Sequence, residues 1–248
     1  MGNGAAAMGA DISGENPRDC VVQSRPLREQ VYAILRRSIL TGEFAPGTTL
    51  DENAIALKFA VSRTPVREAV KKLSDEDLVE VKAQSSTLIA PIDARLIREA
   101  YLIRRALEIE NVAQAAGKMN ECHRDRLEQL YLLHEHAIER KRYIDAIDLD
   151  DAFHRYIGEI SGLSRLWRAI AISKAQLDRC RYLSVPRPER GQATLAQHRQ
   201  IIDALACGDK RRSRKTMSDH LENSYRDVVS LLRAMNAGAA ESRRKGAA

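Results

Sequence analysis

Aromatic side chains are scarce in this chain, with one Trp, three Phe and seven Tyr among 248 residues. β-prone runs are scarce too. Outside one hairpin no stretch reads convincingly as a strand, and the abundant Ala, Leu, Arg and Glu point to a mainly α protein. Cysteine supplies no framework: Cys20, Cys122, Cys180 and Cys207 lie far apart with no C-x-x-C pair and read as ordinary thiols of a reducing cytosol. No apolar run approaches the roughly 18 to 20 residues of a membrane span. Residues Met1 to Ser24 are rich in Gly and Ala but lack a basic start followed by an apolar core, so a disordered leader over 1–24 is expected rather than a signal peptide. Together these absences describe a soluble, cytoplasmic protein with no membrane partner.

What is present is organised in two parts. A chain of this length can hold a small domain and a medium one, each with enough buried surface to fold. The formal charge of +6 and the pI near 9.2 allow an anionic partner without demanding one. From Arg25 to Ile92 there are ten Lys or Arg against nine Asp or Glu, so that segment is nearly neutral. Between Arg63 and Lys72, however, stand four cations and one acid, and Arg36 and Arg37 add two cations on the preceding helix. That local excess is placed to face phosphates.

The run Val61-Ser62-Arg63-Thr64-Pro65-Val66-Arg67-Glu68-Ala69-Val70 opens a helix. Ser62 is a good N-cap, Pro65 fits the first turn, and Arg63 and Arg67 share a face. A short helix over Leu50 to Phe59, with Asp51 and Glu52 in its first turn, precedes it through a tight Ala60-Val61 connection. Two helices so joined form a helix-turn-helix whose second helix reads the major groove. Leu27 to Thr41, ended by Gly42, is an amphipathic helix before them; Leu78 to Lys82 and Thr87 to Ala90 form a hairpin after them.

With Leu50-x-Glu52-x-x-Ile55-Ala56 ahead of it and Leu73-x-x-Glu76-x-Leu78-Val79 behind, this segment resembles the winged helix-turn-helix of the GntR family of bacterial transcription regulators. Within that family it is similar to the branch carrying a FadR-type, all-helical FCD domain. The resemblance implies an N-terminal winged helix-turn-helix over 25–92 and an antiparallel all-α bundle over 93–236, binding effector and dimerising, before a basic flexible tail over 237–248. It implies double-stranded DNA as partner, read as a pseudo-palindromic operator by a homodimer, with contacts from Arg63, Thr64 and Arg67 and further candidates in Asn53, Lys71 and Lys72. Arg63 or Arg67 could bond guanine bidentately. The chain departs from the family at the wing, which lacks the usual basic residue and glycine at its tip and has Asp77 in place of a glycine. A minor-groove contact and a hairpin that only completes the fold both remain open there.

From Asp93 onward helix follows helix: roughly Ala94 to Gly117, Glu121 to Lys141, Tyr143 to Ser161, Leu163 to Val185, Pro188 to Cys207 and Lys210 to Met235. Short loops predict antiparallel neighbours. Asp150 and His154 lie one turn apart on a stripe with Ile147 and Ile157; His198 lies between Leu195 and Ile202, and His220 between Met217 and Leu221. Polar groups therefore occupy inward faces, where an unpartnered one costs roughly 1 to 3 kcal/mol. A single such His is commonly a core residue bonded to a backbone carbonyl. Three with a carboxylate suit a shared divalent ion such as Zn²⁺, Ni²⁺, Mn²⁺ or Fe²⁺.

The same four residues, Asp150, His154, His198 and His220, match the Asp-x-x-x-His, His and His pattern of metal-binding FCD domains. That resemblance implies a small organic acid as effector. It also matches Arg104 to an arginine that lines the effector pocket, the alternative being a surface salt bridge with Glu108. The family often has Ser-Gly-Asn where this chain has Ser161-Gly162-Leu163. His123, His134 and His136 are expected to be solvated or peripheral. The expected function is a DNA-binding regulator, a repressor controlled by an acid at a metal-containing pocket, and not an enzyme. A metal-dependent enzyme, a direct metal sensor and a purely structural metal are the competing readings of the Asp/His set.

Overall fold

The computed structural model describes residues 26–82, 86–183 and 188–245. It holds ten helices and three strands among those residues, in two compact units that divide at Asp93. The expected leader over 1–24 and the wing tip at Gln84 and Ser85 lie outside the described residues. No helix among the described residues is long and apolar enough to cross a membrane.

The first unit packs α1 (Leu27–Thr41) on α3 (Arg63–Asp75) around Leu35, Ile39, Val66, Ala69 and Leu73, all buried. Gly42 ends α1 in the left-handed region at φ 85°. α2 (Glu52–Lys58) starts two residues later than the sequence suggests, because Asp51 is its cap rather than part of its first turn: the Asp51 carboxylate accepts the Asn53 and Ala54 amides at 2.8 and 3.2 Å. Ala60 turns the chain at φ 52°, and the Val61 amide donates to the Ala56 carbonyl, which sets α3 against α2.

The hairpin of β2 (Val79–Lys82) and β3 (Ser86–Ile89) pairs antiparallel from Val79 with Ile89 to Lys82 with Ser86. A third strand, β1 (Thr49–Leu50), adds to the other edge of β3 and gives the order β1-β3-β2. Its two residues are too short to show any periodicity in sequence. Asp77 precedes the hairpin at φ 56°, so it adopts the left-handed turn that the family usually assigns to glycine; Asp tolerates that region better than most residues.

The second unit is a bundle of α4 (Ala94–Ala116), α5 (Glu121–Glu139), α6 (Tyr143–Ser161), α7 (Ser164–Ser173), α8 (Ala175–Leu183), α9 (Pro188–Ala206) and α10 (Lys210–Lys245). α4 packs on α6 and α10, and α5 on α6 and α9, around a core that includes Val112, Leu127, Phe153, Ile157, Ile201 and Leu221. The single helix expected over Leu163 to Val185 is two helices. The break at Lys174 turns its ammonium inward, where it is buried and bonded to Asp151 and Asp178. The tail expected to be flexible over 237–248 continues α10 as helix to Lys245, in keeping with the Ala, Glu, Arg and Lys that fill it.

Gly191 opens a close approach of α9 to α5, since a Cβ there would stand 2.9 Å from Ile138 Cγ2. Both residues line the cavity described below.

Candidate metal centre and DNA-reading helix

On α3 the apolar side, Val66, Ala69, Val70 and Leu73, is buried, and Arg63, Thr64, Arg67 and Lys71 are all exposed. Asn53 on α2 is exposed as well. Arg67 Nε lies 3.5 Å from Glu52 Oε2, a loose pair that leaves the guanidinium 63% exposed. Two other cations are already committed. Arg36 Nε donates to Glu76 Oε2 at 2.7 Å, and Lys72 Nζ stands 3.7 Å above the Tyr32 ring, so both tie α1 to α3. Tyr32 also bonds Glu76.

In the bundle, ligand atoms of Asp150, His154, His198 and His220 all lie within 4.8 Å of one another, and all four residues are buried. α6 supplies Asp150 and His154 one turn apart; α9 supplies His198 and α10 supplies His220. Phe153 stacks on the His198 ring with centroids 4.1 Å apart and helps hold it in place. His154 Nε2 faces His220 Nε2 at 3.1 Å, and His198 Nε2 lies 3.2 Å from Asp150 Oδ1.

The outer nitrogens decide what the inner ones are. The Glu108 carboxylate sits against His154 Nδ1, and Gln197 Oε1 lies 2.8 Å from His220 Nδ1. Both partners are acceptors, which places a proton on each Nδ1 and leaves the two Nε2 atoms turned toward one another. Burial, followed by His198 and His154, holds His220 well below the ordinary imidazole range, so it stays neutral. Burial likewise lowers His198. A divalent ion among the four ligand atoms would take the lone pair of each Nε2. The donor set of three imidazoles and one carboxylate fits a divalent ion of the zinc or nickel type.

Around this centre the acids are ionised. Burial opposes the charge on Asp150, but Arg181, His198 and His154 outweigh it and hold the carboxyl well below the usual range. Burial opposes Glu108 too, and Arg104 followed by His154 brings it down to about 2. Arg181 bonds Asp150, Asp151 and Asp178, and Lys174 bonds the last two, which makes a buried network on one side of the centre. A cavity of about 120 Å³ adjoins the centre, lined by His134, Asp150, Arg181, Thr194, Gln197 and His220 among others.

Residues 27–89 match "Bacterial regulatory proteins, gntR family", and residues 99–223 match "FCD domain". The chain is 35% identical over 205 residues to the "HTH-type transcriptional repressor RspR" of Escherichia coli (strain K12), covering 83% of this chain and 90% of that protein. It belongs to the GntR family of transcriptional regulators. An uncharacterised HTH-type regulator of Streptomyces ambofaciens is 31% identical over 208 residues, covering 82% of this chain and 86% of the relative. Among solved structures, "E. coli McbR/YncC" has the same fold, with a TM-score of 0.73 at 21% identity over 85% of this chain and 99% of that one.

For this GntR-family regulator the structure gathers Asp150, His154, His198 and His220 as one group and leaves the candidate DNA-contact residues exposed on one unit. Arg104 stands elsewhere than a surface or a pocket wall: it is buried and paired with Glu108, behind His154. His134, expected to be peripheral, is buried and lines the cavity, because its side of α5 faces α9 rather than solvent. His136 is exposed, and His123 stands partly exposed against the Lys118 carbonyl.

Sequence reasoning missed Arg181, Glu108 and Gln197 as parts of the site. α8 is rich in polar residues, yet Gln176, Asp178, Arg179 and Arg181 are all buried. A polar helix reads as solvated in any periodicity scheme. Gln197, beside His198 in sequence, and Glu108, at i,i+4 from Arg104, were the only signals available.

Proposed function

We propose that this regulator is a repressor whose DNA binding is controlled by a small carboxylic acid, taken up in the cavity beside a divalent ion held by Asp150, His154, His198 and His220. The observation that carries the reading is the gathering of four buried ligand atoms within 4.8 Å of one another, with Nε2 of His154 and of His220 facing at 3.1 Å. A bound divalent ion would supply an open coordination position for a carboxylate. The chain's own residues do the rest. Glu108, held by Arg104, and Gln197 orient two of the imidazoles, as outer partners of metal-bound histidines do. Arg181 fixes Asp150 and lines the cavity beside it.

Arg63, Thr64 and Arg67 contact the operator, with Asn53 and Lys71 beside them. The chain acts as a homodimer on a pseudo-palindromic site. Leu102 and Ile103, exposed on α4, offer apolar surface for self-association. Effector binding needs only to favour a dimer geometry with the wrong spacing of recognition helices. A coupling of about 1 to 3 kcal/mol changes operator occupancy by roughly 5- to 150-fold. The repressor assignment is supported by the name of the Escherichia coli relative.

The test is to select duplexes from a random-sequence pool with the zinc-loaded full chain, then follow their release by fluorescence anisotropy as acetate, glycolate and gluconate are added. Release by an acid from zinc-loaded protein only is expected. Release by chelation alone, with no response to any acid, favours a metal sensor instead.

A further inference from the structure

Two acids stand among the candidate DNA contacts of the first unit, and each has an arginine at hand. Glu68 of α3 lies 3.7 Å from Arg28 of α1. Glu52, the first residue of α2, places Oε2 3.5 Å from Nε of Arg67. Arg63 and Lys71, on the same helix as Arg67, have no acid partner among the described residues. A carboxylate close to a duplex repels its phosphates and weakens binding to every sequence alike. Glu52 therefore opposes DNA binding unless its effect on Arg67 outweighs the repulsion.

The acid is the anchored member of the pair. Its backbone is fixed, because Asp51 caps α2 by accepting the Asn53 and Ala54 amides. Its other oxygen, Oε1, lies 3.5 Å from Oγ1 of the buried Thr87 on β3. The Glu52 side chain is 23% exposed, against 63% for Arg67. A contact through Nε leaves both Nη groups of the guanidinium for a base edge, the fork that bonds O6 and N7 of guanine. In water so exposed a pair is weak. A duplex seated on α3 would exclude that water and strengthen it. A long side chain that has to be immobilised on binding lowers affinity by roughly 2- to 10-fold, and one already oriented lowers it less.

We propose that Glu52 is a positioning residue for operator recognition: it aims Arg67 at a base edge, lowering general affinity for DNA while raising discrimination between sequences. The proposal rests on the reading of Arg67 as an operator contact and adds the residue that orients it.

Fluorescence anisotropy of the full chain tests it, on a duplex selected from a random-sequence pool and on a scrambled duplex of the same length and composition. In Glu52→Gln the selected duplex should bind about 3- to 10-fold more weakly, and the scrambled duplex as tightly as before or tighter, since a carboxylate near the phosphates is gone. Glu52→Asp keeps the charge and shortens the reach by one methylene, so it should weaken the selected duplex without tightening the scrambled one. In an Arg67→Ala background, Glu52→Gln should not weaken the selected duplex further. A purely structural role would lower both affinities together, and that result overturns the proposal. Parental or improved affinity of Glu52→Gln for the selected duplex overturns it too, leaving Glu52 as a repulsive acid only. So does a loss that persists in the Arg67→Ala background, which would make Glu52 a base contact in its own right. Parental affinity in Arg67→Ala alone overturns the operator reading of Arg67 and this proposal with it.

Discussion

The two units of this regulator carry their chemistry in opposite ways. The candidate DNA-reading residues are exposed cations and polar groups on α3 and α2, close in sequence and standing on an apolar face that packs independently of them. The metal centre is built from buried groups on α6, α9 and α10, up to 70 residues apart, ionised or neutral only because of their neighbours. An exposed site can be altered with little effect on the fold. A buried polar site is part of the fold, and each member depends on the others being present.

Arg181→Met breaks that contrast hardest if it is benign. It leaves the buried Asp150 without its guanidinium partner and the half-buried Asp151 and buried Asp178 with Lys174 alone, and a loss of about 3 to 5 kcal/mol of stability is expected. Urea denaturation followed by circular dichroism reads it. A loss below about 1 kcal/mol would mean that the network is open to solvent.

Arg67→Ala is the counterpart on the other unit. Operator binding should weaken by about 1 to 3 kcal/mol, roughly 5- to 150-fold, while the thermal midpoint stays put. Unchanged affinity in anisotropy titrations would remove α3 as the reading helix.

Glu108→Gln sharpens the comparison on the metal side. Oriented by Arg104 against His154 Nδ1, this carboxylate should contribute about 10- to 100-fold in metal affinity, measured by competition with a chromophoric chelator. Wild-type affinity would reduce the pair to a structural ion pair.

The smallest effect is expected on the surface of the bundle. Arg199 donates to Glu128 at 2.6 and 2.8 Å and holds that carboxyl below its ordinary range. The stability it contributes is therefore present above the ordinary carboxylate range and lost as pH falls through the lowered value. Both side chains are about one third exposed, so solvent screening keeps the contribution within about 1 kcal/mol. Arg199→Met should lower the neutral plateau of a stability-versus-pH curve by up to about that amount and leave the acid end unchanged, so that the acid limb is flatter.

The same contrast explains what could be read in the sequence. The apolar stripe of α3 and the turn at Ala60-Val61 are set within a few residues, so the helix-turn-helix was legible; the caps were less so, since Asp51 caps α2 instead of opening it and Ser62 holds the N-cap position of α3 without a side-chain cap bond. The four candidate ligands were legible because each interrupts an apolar stripe on its own helix. The helix break at Lys174 was not, because its cause is an inward pairing with Asp151, 23 residues earlier. Nor was the burial of α8 or of His134, since a polar residue is inside or outside according to which helices pack on it, and local periodicity carries no record of that.

The most direct measurement is the metal content of untagged full-length protein purified without chelator, by inductively coupled plasma mass spectrometry, beside His198→Ala. Near one equivalent of a divalent metal per chain in the parent, and little in a folded variant, is expected from four buried ligand atoms within 4.8 Å of one another. No metal in the parent, even after reconstitution with zinc, nickel, manganese or iron, would contradict it and leave Asp150, His154, His198 and His220 as polar members of the core.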